Sequence, residues 1–172
     1  FSKKIESVEM TEILSLGKTL ELVKDIGDAS AVSKQYGLDK IRGTHAIGHS
    51  RMATESGVDI RSAHPFWGYP FSDVAVVHNG QLTNYDELVE EVTKKEKRYL
   101  NTTSDTEVIL HIFAEELNKN GNPETSEEFF DVLCDVVSTL FKKVRGAYSI
   151  TALIVGKGLV VFRDPRGIRP LV

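Results

Sequence analysis

One cysteine, Cys134, occurs in the 172 residues. That excludes an internal disulfide and fits a reducing, cytoplasmic setting. Long hydrophobic runs are also missing. No apolar stretch is long enough to span a bilayer, and the residues following Phe1 show neither an apolar h-region nor a cleavage-like site. Positive charge is not in excess: the formal net charge is -4 and the sequence pI is near 5.8. Electrostatics therefore gives no reason to expect DNA, RNA or an anionic membrane as partner, which leaves a small molecule or another protein. Repeats and low-complexity segments are absent as well. What is present is 41% hydrophobic content in a chain the length of one domain, enough to bury a substantial core.

Residues 5–23 mix apolar and charged side chains around Gly17-Lys18 and read as two strands joined by a tight turn. Residues 28–36 have helical character, with Asp28 as the cap and Gly37 as the stop. Residues 44–50 and 73–77 read as buried strands, the second ending at a sharp turn marked by His78-Asn79-Gly80. Three helices follow, over 85–92, 105–117 and 126–143. Each has capping-box spacing at its start: Asn84 with Glu87, Ser104 with Glu107, and Thr125 with Glu128. Phe129, Leu133, Val136 and Leu140 give the last helix one apolar face. The charge run 94–98 reads as a solvated helix end. After the Arg145-Gly146 break, residues 147–155 and 159–162 flank Gly156-Lys157-Gly158 as a hairpin. Strands, helices and strands in blocks argue against a doubly wound parallel sheet. They favour an α+β class with helices packed on largely antiparallel sheets.

Three segments could carry chemistry. Arg51, in Gly48-His49-Ser50-Arg51-Met52-Ala53-Thr54, stands at a predicted strand end, where a guanidinium can fork onto a carboxylate. Taken alone it reads more readily as a surface arginine in an ion pair, by roughly three to one. Asn79-Gly80 sets a side-chain amide beside a permissive backbone N–H, two donors that can converge on a developing oxyanion. Asn-Gly is also the commonest tight-turn dipeptide. Asp105 lies in a helix first turn, where it can receive an ammonium group or merely complement the helix dipole. A metal site is disfavoured: His45 and His49, four apart on an extended strand, lie about 13 Å apart at ~3.3 Å per residue. Gly156-Lys157-Gly158 lacks the spacing and following helix of a phosphate loop.

Taken in order, the segments Gly-His-Ser-Arg-Met-Ala-Thr-Glu-Ser, His-Pro-Phe, Val-His-Asn-Gly-Gln-Leu-Thr-Asn, Asn-Thr-Thr-Ser-Asp-Thr-Glu, Arg-Gly-Ala-Tyr and Phe-Arg-Asp-Pro-Arg-Gly-Ile-Arg-Pro-Leu resemble the class II, N-terminal-nucleophile glutamine amidotransferases. The resemblance covers residues 44–172. It implies that Arg51 holds the α-carboxylate of L-glutamine, with Met52, Ala53 and Thr54 forming the adjoining loop, and that Asp105 holds the α-ammonium. It further implies an oxyanion hole made by the Asn79 side chain and the Gly80 N–H. Both ends of the zwitterion would then be fixed and the side-chain amide aimed at the nucleophile. No cofactor and no metal are implied.

The family's nucleophile is an N-terminal cysteine, whereas residue 1 here is Phe1. Cys134, expected on a packed helix face, is read as inert. These residues alone are therefore expected not to hydrolyse glutamine. The domain 1–172 is expected to lack the leading strand and nucleophile and to be truncated at its C-terminus. The resemblance implies a four-layer α/β/β/α Ntn-hydrolase sandwich, with ammonia passed to a synthase subunit or domain in a homo- or hetero-oligomer. Arg-Met-Ala-Thr-Glu-Ser and the lead-in 8–44 look most like subunits related to glutamate synthase, which is taken as the first reading. Segments 101–107 and 162–171 look closer to amidophosphoribosyltransferase. A non-catalytic glutamine-binding or regulatory domain is the third reading.

Overall fold

The computed structural model describes residues 20–50, 60–68 and 74–172. In chain order these form α1 (Ala29–Tyr36), β1 (Phe66–Gly68), β2 (Val74–Leu82), α2 (Tyr85–Glu90), α3 (Asp105–Asn120), α4 (Ser126–Lys143), β3 (Gly146–Ile154) and β4 (Gly158–Arg163). Among the described residues there is one sheet, four-stranded and antiparallel throughout, in the order β1-β2-β3-β4. Mixed helices and an antiparallel sheet agree with the expected α+β class.

Period-2 alternation builds the sheet's packed face. Val74 and Val76 of β2 pair across to Ile154 and Ala152 of β3, and all four are buried. On this face lies α3, whose Val108, Ile109, Leu110, Ile112, Phe113 and Leu117 are all buried. A helix apolar over most of its girth must be covered on both sides. The sheet covers one side of α3, and α4 covers the other through Phe129, Val136 and Leu140. Phe162 of β4 meets the rings of Phe113 and Phe141 at 6.1 and 6.2 Å, tying the hairpin to both helices. Lys143, at the end of α4, reaches Glu91 at 2.7 Å and Glu116 at 3.0 Å and so binds three helical segments together.

Several sequence expectations are met. Helix α1 is capped by Asp28, which accepts from the Ser30 and Ala31 N–H groups, and ends at left-handed Gly37. Helix α4 runs over the expected span, with Thr125 accepting from the Glu128 N–H. The β3–β4 hairpin turns where expected.

Others need correction. Residues 44–50 form no strand and are mostly exposed, pairing with no strand among the described residues. Of the two strands expected over 5–23, residues 1–19 lie outside the described residues, and 20–23 are not in a strand. Strand β2 does not stop at His78 but runs through Asn79 and Gly80 to Leu82. Helix α2 ends at Glu90 and continues as a π turn, Glu91–Lys95, short of the single helix over 85–92. Asn84 makes no cap bond: its amide donates to the Lys143 carbonyl and its oxygen accepts from the Arg145 N–H. Helix α3 extends beyond 117 to Asn120. In the charge run, Lys94, Lys95 and Lys97 are solvated, but Arg98 turns inward to Glu115 at 2.8 Å. Cys134 is exposed on α4, not buried.

Candidate functional site

The site is organised by β2 and by the start of α3. In β2, His78 pairs with Ile150, Asn79 with Ser149 and Gly80 with Tyr148. Side chains alternate across a sheet, so His78 enters the packed face while Asn79, which is exposed, projects from the opposite one. The glycine here serves strand approach and not a turn. Gly80 has φ +153°, and a Cβ at this position would lie 2.1 Å from the Ala147 carbonyl oxygen. Gly146 on β3 is matched to it, at φ +146° and 2.3 Å from the Gln81 oxygen. Any side chain at either position would push β2 and β3 apart.

Asp105 is the first residue of α3, and the loop before it is held by Glu107. The buried Glu107 carboxylate accepts from the Asn101 N–H at 2.8 Å, the Thr102 N–H at 2.7 Å and the Thr102 hydroxyl at 2.7 Å. Ser104 completes the cap by accepting from the Thr106 N–H at 3.3 Å. The spacing that predicted a capping box therefore serves a loop clamp. It places Asp105 against the end of β2, where Oδ2 accepts from the Leu82 N–H at 3.3 Å and Oδ1 lies 3.4 Å from His78 Nδ1.

Burial alone would raise the Asp105 pKa. The hydrogen bond and charge interaction with His78, together with the N–H groups of Leu82 and Thr106, outweigh it and hold the carboxyl below its usual range. The result is a partly exposed, ionised carboxylate, able to receive a cation.

Sequence reasoning missed the polar chain behind this carboxylate. Thr106 Oγ1 lies 3.1 Å from His78 Nδ1 and 2.9 Å from His64 Nε2, and the His64 ring packs against His49, tilted by 35°, at 4.4 Å between centroids. The histidines were legible only as hydrogen-bonding or structural residues. Their partner Thr106 gave no signal, because it is 42 residues from His64 and 28 from His78. Among the described residues no group of three or more His, Cys, Asp or Glu is placed to hold a metal ion. Arg51, Met52, Ala53 and Thr54 lie outside the described residues, whereas Asn79, Gly80 and Asp105 lie within them, on β2 and at the adjoining helix start.

The C-terminal segment Phe162-Arg-Asp-Pro-Arg-Gly-Ile-Arg-Pro-Leu171 is organised by Asp164. Its carboxylate accepts from the N–H groups of Tyr148, Arg166, Ile168 and Arg169, and its own N–H donates to the Tyr148 carbonyl at 2.8 Å. Desolvation would raise the Asp164 pKa, but these backbone donors outweigh it and lower the value. On Tyr148, opposite Gly80, burial first and the Asp164 charge second push the phenol up to about 12. A depressed folded pKa gives stability that is complete above the unfolded value and lost as pH falls through the folded one. Asp164→Asn is therefore expected to flatten the acid limb of the stability curve below about pH 4. Urea midpoints near neutrality and near pH 3 check this, and an unchanged acid limb in the variant counts against it.

Residues 49–172 match the family model described as a glutamine amidotransferase domain. The chain is 35% identical over 169 residues to the amidophosphoribosyltransferase of Escherichia coli, covering 98% of this chain and 32% of that protein. To the amidophosphoribosyltransferase of Haemophilus influenzae it is 41% identical over 151 residues, covering 88% and 29%. It resembles the solved glutamine phosphoribosylpyrophosphate amidotransferase of B. subtilis, complexed with ADP and GMP, with TM-score 0.61 and 27% identity over 82% of this chain and 28% of that one. A second solved structure, described as the allosteric regulatory enzyme of purine biosynthesis, gives TM-score 0.64 and 28% identity over 84% and 28%. These likenesses bear out the expected fold class. The chain spans about a third of the length of these two relatives, at 32% and 29%.

Proposed function

This chain belongs to the glutamine amidotransferase family, and from that premise we propose that it is the glutamine-hydrolysing domain of an amidophosphoribosyltransferase. The glutamate-synthase reading, placed first on the sequence, gives way: the Escherichia coli and Haemophilus influenzae relatives, matched over 98% and 88% of the chain, are amidophosphoribosyltransferases. Their agreement with the two solved neighbours, both described as enzymes of that kind or of purine biosynthesis, is the observation that supports the reading.

In this reading L-glutamine is held at its ammonium by Asp105 and at its carboxylate by Arg51, with Met52, Ala53 and Thr54 beside it. A cysteine thiolate attacks the side-chain amide carbon, and the carbonyl π electrons move onto oxygen. The Asn79 amide and the Gly80 N–H stabilise that oxyanion. Its collapse releases ammonia after protonation of the leaving nitrogen, and water then frees glutamate from the thioester. The required nucleophile is not Cys134, which is exposed on the outer helix α4. Ammonia passes to a phosphoribosyl acceptor site elsewhere in the full-length protein.

The test is the acceptor. Full-length protein given amide-labelled glutamine is expected to release glutamate faster with phosphoribosylpyrophosphate than without, and to place the label in a phosphoribosylamine. Stimulation by 2-oxoglutarate with a reductant, and none by phosphoribosylpyrophosphate, would restore the glutamate-synthase reading. Glutamine binding without turnover under either condition would favour the non-catalytic one.

A further inference from the structure

Asp105 holds its place through groups that never meet solvent. The His78 side chain is 1% exposed, against 23% for Asp105, so the imidazole cannot touch a ligand and acts only through its neighbours. A carboxylate accepts and never donates, so its contact with His78 fixes Nδ1 as the ring's N–H. That N–H lies between Asp105 Oδ1 at 3.4 Å and Thr106 Oγ1 at 3.1 Å. A threonine hydroxyl has one proton. Having accepted from His78, Thr106 Oγ1 still has a proton and a lone pair, and His64 Nε2 lies 2.9 Å away to engage one of them. Among the described residues the buried His78 Nε2 has no hydrogen-bond partner, so the ring is held polar-side toward Asp105 and Thr106 alone. The Leu82 N–H loads the other carboxylate oxygen from the strand. His78, the Leu82 N–H and the Thr106 N–H thus load the carboxylate from the protein side, and its 23% exposure leaves it open to a ligand donor.

We propose that His78 is a positioning residue that aims and loads the Asp105 carboxylate for the ligand ammonium, with Thr106 and His64 fixing its orientation. The proposal rests on the reading of Asp105 given above. A ligand then meets a carboxylate that needs no reorientation on binding.

Asparagine and glutamine substitutions test it, since both are polar but only asparagine returns an amide N–H near the Nδ1 position. In the full-length protein, His78→Gln is expected to raise the glutamine KM about tenfold, and His78→Asn less than about threefold, with kcat within about twofold in both. In an Asp105→Asn background, His78→Gln should add no further loss, because its effect passes through the carboxylate. Thr106→Val should raise KM in the same direction while Thr106→Ser restores it, which gives an independent arm if a His78 variant fails to fold. Equal losses in the Asn and Gln variants, kcat and KM moving together, or a loss that persists without Asp105 would reduce His78 to a core residue and overturn the proposal. If Asp105→Asn alone leaves KM unchanged, the reading of Asp105 fails first and this failure is recognisable as its own.

Discussion

Asn79→Ala is expected to lower kcat for glutamine hydrolysis in the full-length protein by about a hundred- to a thousandfold, with KM changed less than about threefold. The split follows from when the contact forms. The neutral amide oxygen of bound glutamine needs little from Asn79, whereas the negative oxygen of the tetrahedral intermediate needs a donor already in place. The strand supplies that preorganisation. Asn79 is pinned opposite Ser149 in mid-ladder, and the next residue is locked by the approach of Gly80 to the Ala147 oxygen. Its exposed side chain leaves from the face opposite the packed helix and stands outside the core cluster of the described residues. The fold should therefore survive the change, and thermal unfolding should show it. A variant that keeps kcat, or that loses KM instead, removes Asn79 from the oxyanion role.

Helices and the hairpin were readable because their signals are local. Caps at Asp28 and Thr125, the apolar face of Phe129, Val136 and Leu140, and the Gly156-Lys157-Gly158 turn are each settled within a few residues. The misreadings share the opposite cause. His78-Asn79-Gly80 has the local chemistry of a turn, yet β3, about seventy residues later in the chain, pairs with it along its whole length. Residues 44–50 read locally as a buried strand, and among the described residues no strand lies beside them. Asn84 and Glu107 have capping spacing, but each side chain found a better use, one joining the end of α4 to β3 and the other clamping the loop before α3. The site was legible as a set of segments, Asn79-Gly80 and Asp105 among them. The Thr106 bridge that joins His64 to His78 was not, since no periodicity or spacing encodes a contact made only when three distant segments fold together.

Asp105→Asn is expected to weaken glutamine binding by about thirty- to a hundredfold, the loss associated with removing one partner of a desolvated, hydrogen-bonded ion pair. Asparagine preserves the shape and can still accept from the Leu82 N–H, while its NH2 then faces His78 Nδ1, so the change removes the charge together with the His78 contact. Because the Asp105 carboxyl is held below its usual range, wild-type affinity should persist as pH falls through the ordinary carboxylate range and decline only below it. The direct control is 4-carbamoylbutanoate, which is glutamine without its ammonium group. Wild-type protein should prefer glutamine strongly over this analogue, while Asp105→Asn should bind the two with nearly equal affinity, since the group that told them apart has gone. Calorimetry on full-length protein with its nucleophile replaced keeps hydrolysis out of the measurement. If the variant still discriminates as the wild type does, the ammonium is held elsewhere, and the carboxylate at the start of α3 is no more than a helix-dipole partner.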